Sequence, residues 1–137
     1  MRRGRETRRF QDVSAKILLV EDDADAREAI ADLLIDRGFE VLATDEGRKA
    51  LELMEAWRPV LVLLDLHMPG MDGREFRAQQ MLRGRLAKIP VIVMTGDPDP
   101  TVDAEAMLAK PFKAEDLLAA VARFVPNHGA PLVRPPA

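Results

Sequence analysis

The stretch PVLVLLDLHMPGMDG, residues 59–73, decides the fold. Residues 60–64 are apolar at every position, with no polar residue in alternation. A strand with one face in water alternates; an unbroken apolar run is a strand covered on both faces, as in parallel sheets whose crossover helices lie above and below. Pro59 opens the run, Asp65 closes it, and Met68–Gly73 carries the Pro, Gly and Asp of a turn. Working outward, KILLV (16–20) and PVIVM (90–94) repeat the pattern, and EVLAT (40–44) reads as a weaker, edge strand.

The segments between them have helical spacing. Ala26, Ala29, Ile30, Leu33 and Leu34 share one face, with Asp23 or Asp25 available as a cap and Gly38 as a terminator. A second helix carries Ala50, Leu51, Met54 and Trp57 and stops before Pro59, with Trp57 packing at its end. A third runs from about Gly73 through Phe76 and Met81 towards Arg83, and a last one aligns Leu117, Leu118, Val121 and Phe124. This alternation implies an α/β fold of right-handed βαβ units around an open parallel sheet.

Composition bounds the rest. The chain has 137 residues, enough for one domain, and is 47% hydrophobic and 31% charged. The absence of cysteine excludes disulfide scaffolds, thiolate catalysis, zinc fingers and iron–sulfur clusters. His67 and His128 are too few for a histidine-rich metal site. The apolar runs are too short to span a membrane, and no apolar signal segment follows Met1, so a cytoplasmic location is expected. Residues 1–16 carry six bases and two acids and residues 117–137 carry two bases, leaving 12 bases against 21 acids, a net of −9, for residues 17–116. An acidic body argues against non-specific nucleic-acid binding. The expected organisation is a disordered basic tail over 1–15, a domain over 16–125 and a Pro-rich, unstructured tail over 126–137 that includes His128.

The chemically informative residues fall at the carboxyl ends of strands: Glu21, Asp22 and Asp23 after the first, Asp65 after 60–64, Thr95 after 90–94, and Lys110 after Met107–Ala109. Open α/β sheets bind ligands in the crevice at that edge. Carboxylates gathered there repel, and so share protons or bind a cation. Oxygen donors alone favour a hard ion such as Mg²⁺, and a lysine and a threonine facing the same spot suit phosphoryl oxygens. Taken singly, Asp23 and Asp25 read as helix N-terminal acids and Lys110-Pro111 as a surface turn.

In chain order, ILLVEDD, LVLLDLHMPGMDG, VIVMTG and AKPF resemble the receiver domain of two-component response regulators, of the chemotaxis-receiver type, over about residues 16–125. The resemblance implies a flavodoxin-like five-stranded sheet of order 2-1-3-4-5 with helices on both faces. It implies Asp65 as phosphoacceptor, Thr95 as the switch hydroxyl and Lys110 as the phosphoryl contact. It implies Mg²⁺ held by Glu21 (through water), Asp22, Asp65 and the His67 backbone carbonyl. In this family the His67 side-chain position influences access of hydrolytic water, and the Lys110–Pro111 bond is expected to be cis. The implied partners are a sensor histidine kinase or phosphotransfer protein and an unknown downstream protein.

Two departures stand out. Only 14 residues separate Thr95 from Lys110, where two loops, a helix and a strand need roughly 20. Pro98 and Pro100 open that segment, so the fourth helix is expected to be lost or cut to one or two turns over 101–106. Three residues before Lys110, where the family carries a Tyr or Phe switch partner, stands Met107, read as core packing. Readout of phosphorylation is therefore expected to be atypical. Flanks of 15 and 12 residues are too short for a DNA-binding fold, so a stand-alone module is expected, or a receiver excised from a hybrid kinase. The oligomeric state stays open. A haloacid-dehalogenase-type phosphohydrolase would need an aspartate where His67 stands, and a degenerate receiver would lack one of the site residues.

Overall fold

The computed structural model describes residues 14–97 and 102–125. Five parallel strands, β1 (Lys16–Val20), β2 (Glu40–Thr44), β3 (Leu61–Asp65), β4 (Val91–Thr95) and β5 (Ala106–Ala109), form one sheet of order β2-β1-β3-β4-β5. Helices α1 (Ala24–Asp36), α2 (Gly47–Trp57), α3 (Gly73–Met81) and α4 (Ala114–Ala122) cover it, and a 3-10 turn spans Gly84–Lys88. Fold class, strand order and the edge position of β2 match expectation. The tails expected over 1–15 and 126–137 lie outside the described residues, apart from Ser14 and Ala15. The Ala15 carbonyl accepts from the Glu40 N–H at 2.9 Å, so sheet bonding reaches one residue into the span expected as tail.

The unbroken apolar strands split their side chains between two cores. Ile17, Leu19, Leu61, Leu63, Ile92 and Met94 pack with Ile30 and Leu34 of α1 and Leu117 and Val121 of α4. Leu18, Val20, Val62, Leu64, Val91 and Val93 pack with Ala50, Leu51 and Met54 of α2 and Phe76 of α3. Each fully buried aliphatic side chain stabilises by about 1.5–3 kcal/mol, which is why periodicity alone identified these elements.

Local chemistry sets the boundaries. The Asp23 carboxylate accepts from the Ala26 N–H at 2.8 Å and the Asp72 carboxylate from the Glu75 N–H at 3.0 Å, capping α1 and α3. Trp57 ends α2 beneath the Lys16 ammonium, which sits 5.6 Å from its ring centroid. The helix expected to run towards Arg83 stops at Met81, because the chain turns at Gly84, with φ +52°, into the 3-10 turn.

Between β4 and β5 no helix occurs among the described residues; Val102–Glu105 is non-helical and leads straight into β5. A polar network centred on buried Arg77 and Gln80 secures this connection. The Arg77 guanidinium donates to the Asp103 carbonyl at 2.7 Å, to Gln80 Oε1 at 2.9 Å and to both Glu105 oxygens at 2.9 and 3.0 Å. Glu105 Oε1 also accepts from the Val91 N–H at 2.8 Å, and Gln80 Nε2 donates to the Leu86 and Ile89 carbonyls. Val102 and Ala104 pack onto the core beneath α2 and α3. A short non-helical stretch, pinned by one arginine, stands where the helix was expected to be lost or cut to one or two turns. Arg77→Ala should destabilise the fold by about 2–3 kcal/mol, because the Asp103 carbonyl and Gln80 lose a charged donor while Glu105 can turn to water. Urea unfolding should show a lower midpoint at unchanged slope.

Candidate functional site

Parallel register brings the strand ends together. Val20 lies opposite Thr44 and Leu64, Asp65 opposite Met94, and Thr95 opposite Ala109. The ladder continues past the strands through Glu21 N–H to the Thr44 carbonyl, Leu66 N–H to the Met94 carbonyl and Lys110 N–H to the Thr95 carbonyl, at 3.0, 3.1 and 2.8 Å. Glu21, Asp65, Thr95 and Lys110 therefore emerge at one edge as direct continuations of hydrogen-bonded strands.

Lys110 lies at the centre. Its ammonium is 3.0 Å from Glu21 Oε1 and 3.5 Å from Asp65 Oδ1. Glu21 is 1% exposed and Asp65 6%, whereas Asp22 faces solvent. Burial pushes the Glu21 carboxyl above its ordinary pKa, and the Asp65 charge adds in the same direction; the Asp23 N–H, at 3.1 Å, and Lys110 oppose it. Asp65 also receives long contacts from two backbone amides, His67 N–H to Oδ1 at 3.3 Å and Asp22 N–H to Oδ2 at 3.5 Å. The carboxylate is thus met from β1, β3 and β5 at once. The Lys110–Pro111 peptide is cis, as expected.

Thr95 is buried, and its hydroxyl oxygen accepts from the Asp97 N–H at 2.9 Å. The Asp97 carboxylate in turn lies 3.7 Å from His67 Nε2 and 3.6 Å from the Arg74 guanidinium, linking the loop after β4 to the loop after β3. Three contributors were not foreseen. Arg27 donates to the Glu21 and Asp22 carbonyls at 2.9 and 3.4 Å and so fixes the acidic loop. Asp97 ties Thr95 to His67. Gly73 permits the β3–α3 loop to close: its N–H donates to the Leu66 carbonyl at 2.8 Å, and a Cβ there would stand 2.8 Å from Leu66 Cα. Arg27 lies one turn into a helix whose polar face gave no reason to single it out.

The donor set consists of oxygen atoms. Among the described residues no three His, Asp or Glu side chains converge into a closed metal cage. Two carboxylates, Glu21 and Asp65, meet one ammonium, and Asp22 follows Glu21 on the solvent side, which leaves negative charge to be balanced. Such a site fits a hard divalent ion that keeps several waters and shares itself with a phosphate, and does not fit a caged metal. Gly73→Ala should cost about 1–3 kcal/mol through overpacking against Leu66, read as a lowered urea midpoint.

With this geometry established, comparisons place the chain among known proteins. The family model for the response regulator receiver domain matches residues 17–122. The response regulator protein FleR of Pseudomonas aeruginosa is 41% identical over 118 residues, covering 81% of this chain and 24% of that protein. The chemotaxis protein CheY4 of Vibrio cholerae superposes with a TM-score of 0.77 at 30% identity, covering 82% of this chain and 99% of that one. The receiver domain of the Pseudomonas aeruginosa sensor histidine kinase PA1611, described with a magnesium ion in its active-site cleft, superposes with a TM-score of 0.78 at 25% identity, covering 83% and 99%. The chain spans only about an eighth to about half of the length of the curated relatives it matches, at 13–54%.

Proposed function

The chain belongs to the response regulator receiver domain family, the phosphoacceptors of two-component signalling, and from that premise we propose that Asp65 accepts a phosphoryl group from a phosphohistidine of a sensor kinase or phosphotransfer protein in the cytoplasm. One observation carries the reading. A nearly buried carboxylate at the end of the central strand is met by a lysine from β5 and by backbone amides from two loops.

An Asp65 carboxylate oxygen attacks phosphorus, the P–N bond breaks, and the departing imidazole nitrogen keeps the electron pair. A carboxylate is a weak nucleophile, so the rate depends on orientation and on neutralising the three phosphoryl oxygens. Lys110 supplies one positive charge at the correct edge. Glu21, Asp22, Asp65 and the His67 carbonyl would hold Mg²⁺. When bound there, the ion would supply positive charge that screens the repulsion between the carboxylates and an incoming phosphoryl group. Glu21, with its carboxylate engaged by Lys110, would act through water.

The product carries about two negative charges at neutral pH where Asp65 carried one. Thr95 would turn its hydroxyl toward the new oxygens, loosening its contact with the Asp97 amide and with it the loop after β4. Met107, in place of an aromatic partner, is not the core residue expected but is 42% exposed at the edge strand β5, and it has no polar tip to bury, so this loop and not an aromatic rotation would carry the change. A haloacid-dehalogenase-type hydrolase is not favoured: His67, the residue in the acid/base position, is exposed and engages Asp97.

Incubation with acetyl phosphate and Mg²⁺ should add one phosphoryl group by intact mass. Asp65→Asn should abolish the gain, and chelation of Mg²⁺ should suppress it by at least about tenfold. Failure of the wild-type chain to gain mass from either acetyl phosphate or a phosphorylated kinase would favour a receiver that acts only as a binding module.

A further inference from the structure

Although acids dominate the body of the chain, none occurs between Glu75 and Asp97. The charged and large apolar side chains that this stretch exposes lie at the end of α3 and in the 3-10 turn, where Met81, Leu82, Arg83, Arg85 and Lys88 face solvent. Leu82, at 79%, is the most exposed large apolar side chain among the described residues. Arg83, Arg85 and Lys88 form no ion pair among those residues. Arg83 borders the groove between α2 and α3, whose other wall includes Glu52 and Glu55, so Arg85 and Lys88 carry the least compensated charge.

The backbone that presents these side chains is fixed. Gln80 Nε2 donates to the Leu86 and Ile89 carbonyls at 2.8 and 3.0 Å, the Arg83 N–H to the Gln80 carbonyl at 3.0 Å, and the Leu86 N–H to the Arg83 carbonyl at 2.9 Å. Buried Leu86 anchors the turn from below. A preformed surface loses little ordering entropy on binding. Because α3 begins at Gly73, beside the carboxyl edge of the sheet, and runs back along it, the patch lies at the end remote from Asp65. A partner bound there leaves the phosphorylation site open.

We propose that this patch docks an acidic protein segment that seats one or two apolar side chains against Leu82 and Met81. The charge complementarity is local: three cations around an apolar centre, on a body of net −9. Extended polyanions, whether a membrane surface or a nucleic acid, would meet that body's repulsion over a wide area, whereas a compact acidic segment meets only the patch. Exposed leucine ringed by arginine and lysine also suits an amphipathic helix better than a phosphate lattice.

The probe is a synthetic amphipathic helix of Glu and Leu, compared with its Lys-for-Glu counterpart, titrated into the full chain by fluorescence anisotropy. Saturable binding of the Glu peptide alone is expected, weakening at least about tenfold in the combined Arg85→Glu and Lys88→Glu variant and several-fold in Leu82→Ser. Amide chemical-shift changes should centre on residues 81–88. All substituted groups are exposed, and an unchanged urea midpoint checks that the variants fold. The proposal is overturned by absence of saturable binding, by indifference to the charge reversal, by shifts centred elsewhere, or by tighter binding to phosphatidylglycerol vesicles or duplex DNA than to the peptide. It does not rest on phosphoryl acceptance: a wild-type chain that gains no mass from acetyl phosphate defeats the phosphoacceptor reading, while the titration still decides this one.

Discussion

The ion pair between Lys110 and Glu21 is the constraint on which the site depends. A carboxylate 1% exposed is costly to keep charged unless a cation meets it, and the cation comes from the far end of the chain, 89 residues away. The pair ties the end of the last strand to the end of the first across β3 and β4. Asp65 lies between those ends, so the same ammonium that compensates Glu21 also stands 3.5 Å from the carboxylate proposed as phosphoacceptor. Electrostatics and topology are coupled here: the lysine reaches Glu21 only if the sheet closes in the order β2-β1-β3-β4-β5.

A comparable economy appears at the opposite end of the sheet. The connection from β4 to β5 was expected to be too short for a full helix, and its described part has none. Arg77 takes over the anchoring by bonding an inner turn of α3 to Asp103 and Glu105, and Glu105 extends the tie to the first amide of β4. Three polar side chains, each satisfied, hold what apolar helix packing would otherwise hold.

Most of the fold was legible because burial on both faces leaves a periodic trace. KILLV, PVLVLL and PVIVM could be little else than central strands, and the EVLAT edge was weaker for the physical reason that it is less covered. The positions of Glu21, Asp65, Thr95 and Lys110 followed from strand ends and turn residues. What stayed hidden were contacts between residues with no local pattern. Arg77 and Gln80 look like ordinary exposed polar positions of a helix, yet both are buried, because their partners are carbonyls supplied by a distant connection. Asp97 likewise reveals its link to His67 and Arg74 only when two loops lie side by side. The 3-10 turn after α3 depended on the positive φ at Gly84, which a helix reading running through to Arg83 passed over.

The two cores of the sheet have a consequence for how such a domain can change over time. Since successive residues of each strand serve opposite layers, the layer that holds α1 and α4 shares few side chains with the layer that holds α2 and α3. Cover can be thinned on one side without opening the other. Val91 and Val93 stay fully buried although the described part of the neighbouring connection is non-helical, and the chemistry at the strand ends keeps its alignment because backbone ladders, and not the helices above them, set it. A lineage could therefore prune or rebuild one outer layer, and with it the surface it presents, while the carboxylates, hydroxyl and ammonium at the strand ends are inherited in place.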